Sequence, residues 1–309
     1  MKLLILGYSN VVKKKIIKSL IKSKTPFSLA SKSFKKKLKY CEEQYTSYQT
    51  ALSNSKADTV YVSLPNSMHY KYAKKALELN FNVIIDKPIC STSKELKKLI
   101  ILSIKKNKLI SEATFYNFHK QFKLLKKFIK KEKIFQIEAN FLIPKPKKNN
   151  FRLSQNLGGG AWHDMSSYIS SIVSLLIKSE IKKKSVFIKK ENKIITFISF
   201  LIHFKNDILY YGNFRFGASY KNQILIRSKN KEFIINRAFS PPDNQELDIT
   251  INKENKKRSI KIKPDVSFEN YLKYFKKLKK KKYEWKGYLN NLEKDFLLRE
   301  TIIKKAKEI

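Results

Sequence analysis

Asp164 and Tyr168 stand four residues apart in the run Leu157-Gly158-Gly159-Gly160-Ala161-Trp162-His163-Asp164-Met165-Ser166-Ser167-Tyr168. Apolar periodicity continues through Ile172 and Leu176 and predicts a helix that the glycines introduce. Four residues make one helical turn, so a carboxylate and a phenol share a face. That pair suits proton transfer, with the phenol as donor or acceptor. His163 falls about 100° round the helix from Asp164, which gives it a neighbouring or structural role. Three of the chain's seven glycines stand together here. Such a run signals a tight backbone, or a close approach that side chains would block. The same stretch also reads as a Gly-rich turn before a buried helix, with Tyr168 as a core aromatic.

Lys87 is the third candidate. It follows an apolar run, Asn82-Val83-Ile84-Ile85, in Asp86-Lys87-Pro88. A residue before proline is held extended, and an X-Pro bond beside a site can be cis. Against a special role stands sheer abundance, since 61 of the 67 basic residues are lysine. Where lysine is the default cation, Arg152 and Arg237 are informative. Arginine offers a rigid fork to phosphate or carboxylate, although a structural salt bridge accounts for either as well.

The elements that must position these residues follow from the patterning. Leu3 to Leu6 is a short strand ending at Gly7, and Val12, Ile16, Ile17, Leu20 and Ile21 mark a helix after it. Strand, glycine turn and helix open a dinucleotide-binding βαβ unit, with the helix N-terminus facing a pyrophosphate. Against G-x-G-x-x-G, Gly7 matches while Ser9 and Val12 replace the second and third glycines. A second strand, Phe27 to Ala30, leads to Ser31 and Lys32 where a ribose-binding carboxylate would select NAD. NADP(H) is therefore favoured, with NAD(H) possible. Thr59 to Leu64 is a further buried strand, ending at Pro65-Asn66-Ser67-Met68-His69. This alternation implies a doubly wound parallel sheet, with ligands outside the carboxyl ends of its strands. Asn66, His69 and Lys87 fall at such ends.

Composition limits the function classes. A net charge of +42 first suggests nucleic acid or an anionic membrane. The lysines are spread over nearly every segment, as in the coding bias of an AT-rich genome. Without a clustered stripe, no nucleic-acid partner is expected, but the positive field should attract anionic ligands such as nucleotides. Cys41 and Cys90 have no CxxC spacing, so neither a disulfide scaffold nor a zinc site is indicated. No metal site is expected, because no Cys/His/Asp cluster has ligand spacing. The first apolar run is too short for a signal peptide, and no stretch has the length to span a bilayer. The chain reads as cytoplasmic, with no membrane partner.

Taken in order, Ser63-Leu64-Pro65-Asn66-Ser67-Met68-His69, Asp86-Lys87-Pro88 and Gly158-Gly159-Gly160 with Asp164 and Tyr168 resemble the Gfo/Idh/MocA oxidoreductases. That family carries a P-N-x-x-H loop, an E-K-P motif and a G-G-G-x-x-x-D helix with His or Tyr four residues after the Asp. Tyrosine there resembles the subgroup with sugar 3-ketoreductases and dihydrodiol dehydrogenases. Ser111 to His119, Asn236-Arg237-Ala238-Phe239-Ser240-Pro241-Pro242-Asp243 and Asp265 to Tyr271 are similar to segments of that subgroup. Two departures are Asp86 for the usual Glu and the lost glycines after Gly7.

The resemblance implies an N-terminal Rossmann domain, residues 1–115, and an α+β domain, residues 116–309, with an open, mostly antiparallel sheet. Alternation in the second half agrees, with strands expected at 134–142, 184–189, 194–204, 207–216, 222–227 and 231–236. The resemblance further implies hydride transfer between a nicotinamide cofactor and a sugar or nucleotide-sugar carbonyl or hydroxyl. Tyr168 would give or take the proton, with Lys87 lowering the phenol's pKa. Asp164 would position substrate hydroxyls or Lys87. Implied cofactor contacts are Gly7, Ser9, Asn10, Ser31, Lys32, Ser63, Leu64, Pro65, Asn66, His69, Asp86 and Lys87. Implied substrate contacts are Lys87, Arg152, Trp162, Asp164, Tyr168 and Arg237. A homo-oligomer, dimer or tetramer, is expected through the exposed sheet face. The alternatives are a dehydrogenase working in the oxidative direction, a non-catalytic cofactor-binding descendant, and a basic nucleic-acid binder.

Overall fold

The computed structural model describes residues 1–32, 37–254 and 256–309. By contact the chain divides into two units, Met1–Thr114 with Phe268–Lys294, and Phe115–Ser267 with Asp295–Ile309.

Six strands form the sheet of the first unit: β1 (Leu3–Leu6), β2 (Phe27–Ala30), β3 (Cys41–Tyr45), β4 (Thr59–Val62), β5 (Asn82–Asp86) and β6 (Ile110–Ala113). Their order is β3-β2-β1-β4-β5-β6, all parallel. This is the doubly wound dinucleotide-binding arrangement. β1, β2 and β4 are buried at every position, as strands covered on both faces must be. β3 alternates instead, with polar Cys-Glu-Glu-Gln-Tyr at the sheet edge. The helices His69–Glu78 and Ser93–Lys106 present the apolar stripes Ala73/Ala76/Leu77 and Leu96/Leu99/Ile100. Thr92 caps the second of these by accepting from Glu95 N–H at 3.2 Å, and Asn107 ends it in the left-handed region.

In the second unit nine strands make one open sheet. They are β7 (Ile134–Ile143), β8 (Ile181–Glu191), β9 (Ile194–Phe204), β10 (Leu209–Phe216), β11 (Lys221–Ser228), β12 (Glu232–Asn236), β13 (Leu247–Lys253), β14 (Lys256–Ile262) and β15 (Lys307–Glu308). The order is β14-β13-β12-β11-β7-β10-β9-β8-β15. Pairing is antiparallel except at β7–β10 and β8–β15. Strict alternation along β9, from Ile194 to Phe204, sends Ile198, Phe200, Ile202 and Phe204 into the core. The helices Lys120–Ile129 and Ala161–Ile172 add Phe122, Leu125, Met165, Ile169 and Ile172 to that core. The glycine-led helix therefore lies on the inner face of the sheet.

Candidate active site

In the first unit the ends of β1, β4 and β5 lie side by side, and the loops after them carry Gly7–Asn10, Ser63–His69 and Asp86–Pro88. Gly7 has φ +100°, and a Cβ added there would stand 2.2 Å from the Ser63 carbonyl oxygen. Only glycine fits that crossing. Ser9, in place of the motif's second glycine, caps the following helix: its Oγ accepts from Val12 N–H at 3.2 Å. Asn10 is exposed at the start of that helix.

Ser9 Oγ lies 2.8 Å from Ser63 Oγ. The Ser63 and Tyr61 hydroxyls both donate to the Asp86 carboxylate. A serine has one proton to give, and Ser63 gives it to Asp86, so Ser9 must be the donor to Ser63. One directed string thus joins the glycine turn to the residue before Lys87. Burial, and then the Asp86 charge, push the Tyr61 phenol well above its ordinary range, which keeps it a donor.

His69 is fully buried, with Nδ1 2.7 Å from the Pro88 carbonyl oxygen and Nε2 2.8 Å from that of Leu64. A neutral ring can donate to only one of the two. Its position fastens the β4 loop to the β5 loop, so its role is to hold Leu64 and Pro88 in place. Asn66 is buried within the turn Asn66–Met68, Leu64 is buried, and Pro65 and Lys87 are half-buried. The Lys87–Pro88 bond is cis. Ile89 N–H donates to Glu112 Oε2 at 2.9 Å, anchoring the far side of the Lys87 loop. Beyond β2, Ser31 is buried with its N–H on the Tyr45 carbonyl, and Lys32 is exposed.

In the second unit the glycines wrap the turn Phe151–Leu153. Gly160 N–H donates to the Arg152 carbonyl at 2.8 Å, and a Cβ on Gly159 would lie 2.5 Å from that same oxygen. Gly158 and Gly160 have φ of +71° and +104°. With this close approach, Arg152 grips Asp164 with two bonds, Nε to Oδ2 at 2.8 Å and Nη2 to Oδ1 at 3.2 Å. The pair is an arginine–carboxylate fork, and Asp164 also occupies the first turn of its helix, where a carboxylate is favoured.

One turn on, the Tyr168 ring sits among Tyr116, Phe141 and Phe239, at centroid distances of 5.6, 5.6 and 5.1 Å. Ser171 Oγ donates to the Tyr168 carbonyl, so Tyr116 OH, 2.7 Å away, is the donor to Ser171. Trp162 is half-buried and packs against the core. Burial lowers the pKa of His163. His119 is buried and caps the helix Lys120–Ile129, its Nδ1 accepting from Gln121 N–H. Arg237 has φ +54° and lays its guanidinium over the Tyr220 ring at 4.7 Å.

The sequence-derived residues therefore gather into two sets. Ser9, Ser63 and Asp86 are joined in the first unit, with His69 bridging Leu64 and Pro88 beside them, while Arg152, Asp164 and Tyr168 share one helix end in the second. Arg237 pairs with Tyr220 instead of a carboxylate. Sequence reasoning missed Tyr61, Phe141 and Tyr220, whereas Tyr116 carried a signal as part of the matched segment Ser111 to His119. Phe239 carried a signal, since it belongs to the matched segment Asn236 to Asp243.

Residues 2–114 match the family model described as an oxidoreductase family, NAD-binding Rossmann fold. A dTDP-3,4-didehydro-2,6-dideoxy-alpha-D-glucose 3-reductase of Saccharopolyspora spinosa is 26% identical over 205 residues, covering 65% of this chain and 62% of that enzyme. The match thus spans less than two thirds of the relative's length. Among solved structures, KijD10, a 3-ketoreductase from Actinomadura kijaniata in complex with NADP and TDP-benzene, shares the fold with a TM-score of 0.89 and 17% identity, covering 100% of this chain and 98% of that one. An aldose-aldose oxidoreductase from Caulobacter crescentus has a TM-score of 0.83 at 16% identity, covering 99% of this chain and 97% of its own. Over residues 2–114, from the glycine turn at Gly7 through the Lys87 loop, the chain thus matches the Gfo/Idh/MocA oxidoreductase family, and along its whole length it shares the fold of these solved oxidoreductases.

Proposed function

We propose that this protein is an NAD(P)-dependent oxidoreductase acting on the carbonyl or hydroxyl of a sugar or nucleotide-linked sugar, with NADP(H) preferred. The observation that carries it is the fork-held Asp164 one turn from Tyr168, whose ring is caged by Tyr116, Phe141 and Phe239. A carboxylate held in an arginine fork is aimed to accept bonds from sugar hydroxyls, while a rigidly packed phenol holds its proton in one place.

The first unit's residues fit a dinucleotide. Gly7 permits the tight turn, the helix after it offers its N-terminus, and exposed Lys32 replaces the ribose-binding carboxylate. When bound, a nicotinamide supplies or accepts the hydride. In reduction Tyr168 Oη gives its proton to the carbonyl oxygen, and in oxidation it takes the hydroxyl proton. Lys87 is the assisting cation, held through Asp86 by Tyr61 and Ser63. Arg152 and Asp164 orient neighbouring hydroxyls. His69 acts on the cofactor loops by positioning them.

Reduction of a panel of keto-sugars and nucleotide-linked keto-sugars, followed by loss of NADPH absorbance, tests this. Tyr168→Phe should lower turnover by about 10²–10⁴-fold with NADPH affinity retained. Turnover equal to the unaltered protein would remove Tyr168 from the chemistry.

A further inference from the structure

Tyr220, Asn222, Arg237 and Ser240 form a second polar cluster in the second unit that proton transfer does not use. Asn222, 4% exposed, is its hub. Its Nδ2 donates to Ser240 Oγ at 2.9 Å and to the Tyr220 oxygen at 3.1 Å, and its Oδ1 accepts Phe239 N–H at 2.9 Å. Phe239 is also a wall of the Tyr168 cage. Asn222 stands opposite Phe141 in the β11–β7 register, so both side chains share the inner face of the sheet. The cluster and the reacting phenol are therefore held by the same loop, on the same face, with Phe239 between them.

The chemistry of the cluster favours negative charge. Arg237 is exposed and lies flat over Tyr220, which pre-orders a fork that suits phosphate. Its φ of +54° is one that residues with side chains seldom adopt. Burial alone would raise the Tyr220 phenol. Hydrogen bonding with Ser240, Asn222 and Arg237, together with the Arg237 charge, outweighs burial and lowers it. An oxygen on which donors converge marks a place where an anion is welcome. Arginine is also a selective choice here, being six of 67 basic residues.

We propose that Arg237 and Tyr220 form the subsite for the diphosphate of a nucleotide-linked sugar. This deepens the oxidoreductase reading and rests on it. In such a substrate the diphosphate hangs from the anomeric carbon, so a sugar ring separates it from a reacting carbonyl elsewhere on that ring. Phe239, touching Tyr168 and tied to Asn222, would floor that span.

Calorimetric titration of the full chain, with and without saturating NADPH, tests the subsite with two probes, thymidine diphosphate and inorganic pyrophosphate. We expect saturable binding of thymidine diphosphate, weakened about tenfold by Arg237→Gln and less by Arg237→Lys, which keeps the charge but loses the fork. Tyr220→Phe should weaken it too. NADPH affinity, read by nicotinamide fluorescence, should stay unchanged in all three variants and so report that they are folded. Undiminished nucleotide binding by Arg237→Gln would overturn the proposal, as would wild-type protein that binds NADPH but no thymidine diphosphate. Pyrophosphate binding as tightly as the nucleotide would overturn the nucleotide assignment. Loss of NADPH affinity in Arg237→Gln would reassign the arginine to the cofactor. Failure of the wild type to bind NADPH at all would instead sink the oxidoreductase reading.

Discussion

At the scale of single residues, carboxylates are controlled by their donors. Asp164 depends on Arg152, and Asp86 depends on Tyr61 and Ser63. Removing the arginine takes the fork away from a carboxylate that is only 10% exposed. Arg152→Ala should therefore cost about 3 kcal/mol in chemical denaturation, more than Asp164→Asn, which removes the charge itself. Equal losses would show that the pair is not desolvated enough to matter. Tyr61→Phe keeps the buried ring and deletes one donor to Asp86. If the string positions Lys87, turnover should fall about tenfold with little change in Tm. Unaltered kinetics would reduce Tyr61 to packing. Asp164 and Tyr168 stood out as a pair because four residues make one helical turn, and Lys87 stood out only through its motif. The sequence could not display Tyr61, whose partner lies one strand away and 25 residues on.

At the scale of elements, the glycine run and the hairpin edges decide what stands firm. Gly159→Ala would push a Cβ against the Arg152 carbonyl, 2.5 Å away, with backbone on the other side and no soft neighbour to yield. About 1–3 kcal/mol of stability should be lost, and the Arg152–Asp164 fork with it. A crystal structure of the variant with the fork intact would contradict this. Near the start of β7, Glu132 accepts from Lys231 Nζ at 2.6 Å and from Ser228 Oγ at 3.0 Å, tying in the β11–β12 turn. The Lys231 bond lowers its pKa below the usual 4.5, outweighing the desolvation that raises it. The folded value is the depressed one, so this stabilisation is present above pH 4.5 and fades as pH falls through the folded value. Glu132→Gln should be less stable than the parent at neutral pH and converge with it in acid, as urea unfolding would report. Legibility followed burial. β7 and β9 alternate cleanly and were readable, whereas β3 is polar, and β13 and β14 carry charged or partly exposed positions near a sheet edge. The parallel β7–β10 pair was unreadable for another reason, since order across a sheet leaves no mark on periodicity.

At the scale of the whole molecule, charge and the outer sheet face dominate. With +42 net charge, the protein should draw anionic ligands, and the KM for NADPH should rise with ionic strength. On the outer face of the second sheet, Tyr211 pairs in register with Leu201, and both are exposed, as is Phe187 on β8. Aromatic and aliphatic side chains on an open sheet suit a second copy of the chain. We expect a homo-oligomer by sedimentation, dissociated by Leu201→Lys with Tyr211→Lys; a monomeric parent would contradict it. The most direct test of the central claim, that this fold uses a nicotinamide dinucleotide, is titration of the purified full chain with NADPH and with NADH, following nicotinamide fluorescence at moderate salt. We expect saturable binding of both, tighter for NADPH because Lys32 stands where a carboxylate would select NADH. Binding of neither would mean that the Gly7 turn holds no dinucleotide, and the oxidoreductase assignment of function would fall with it.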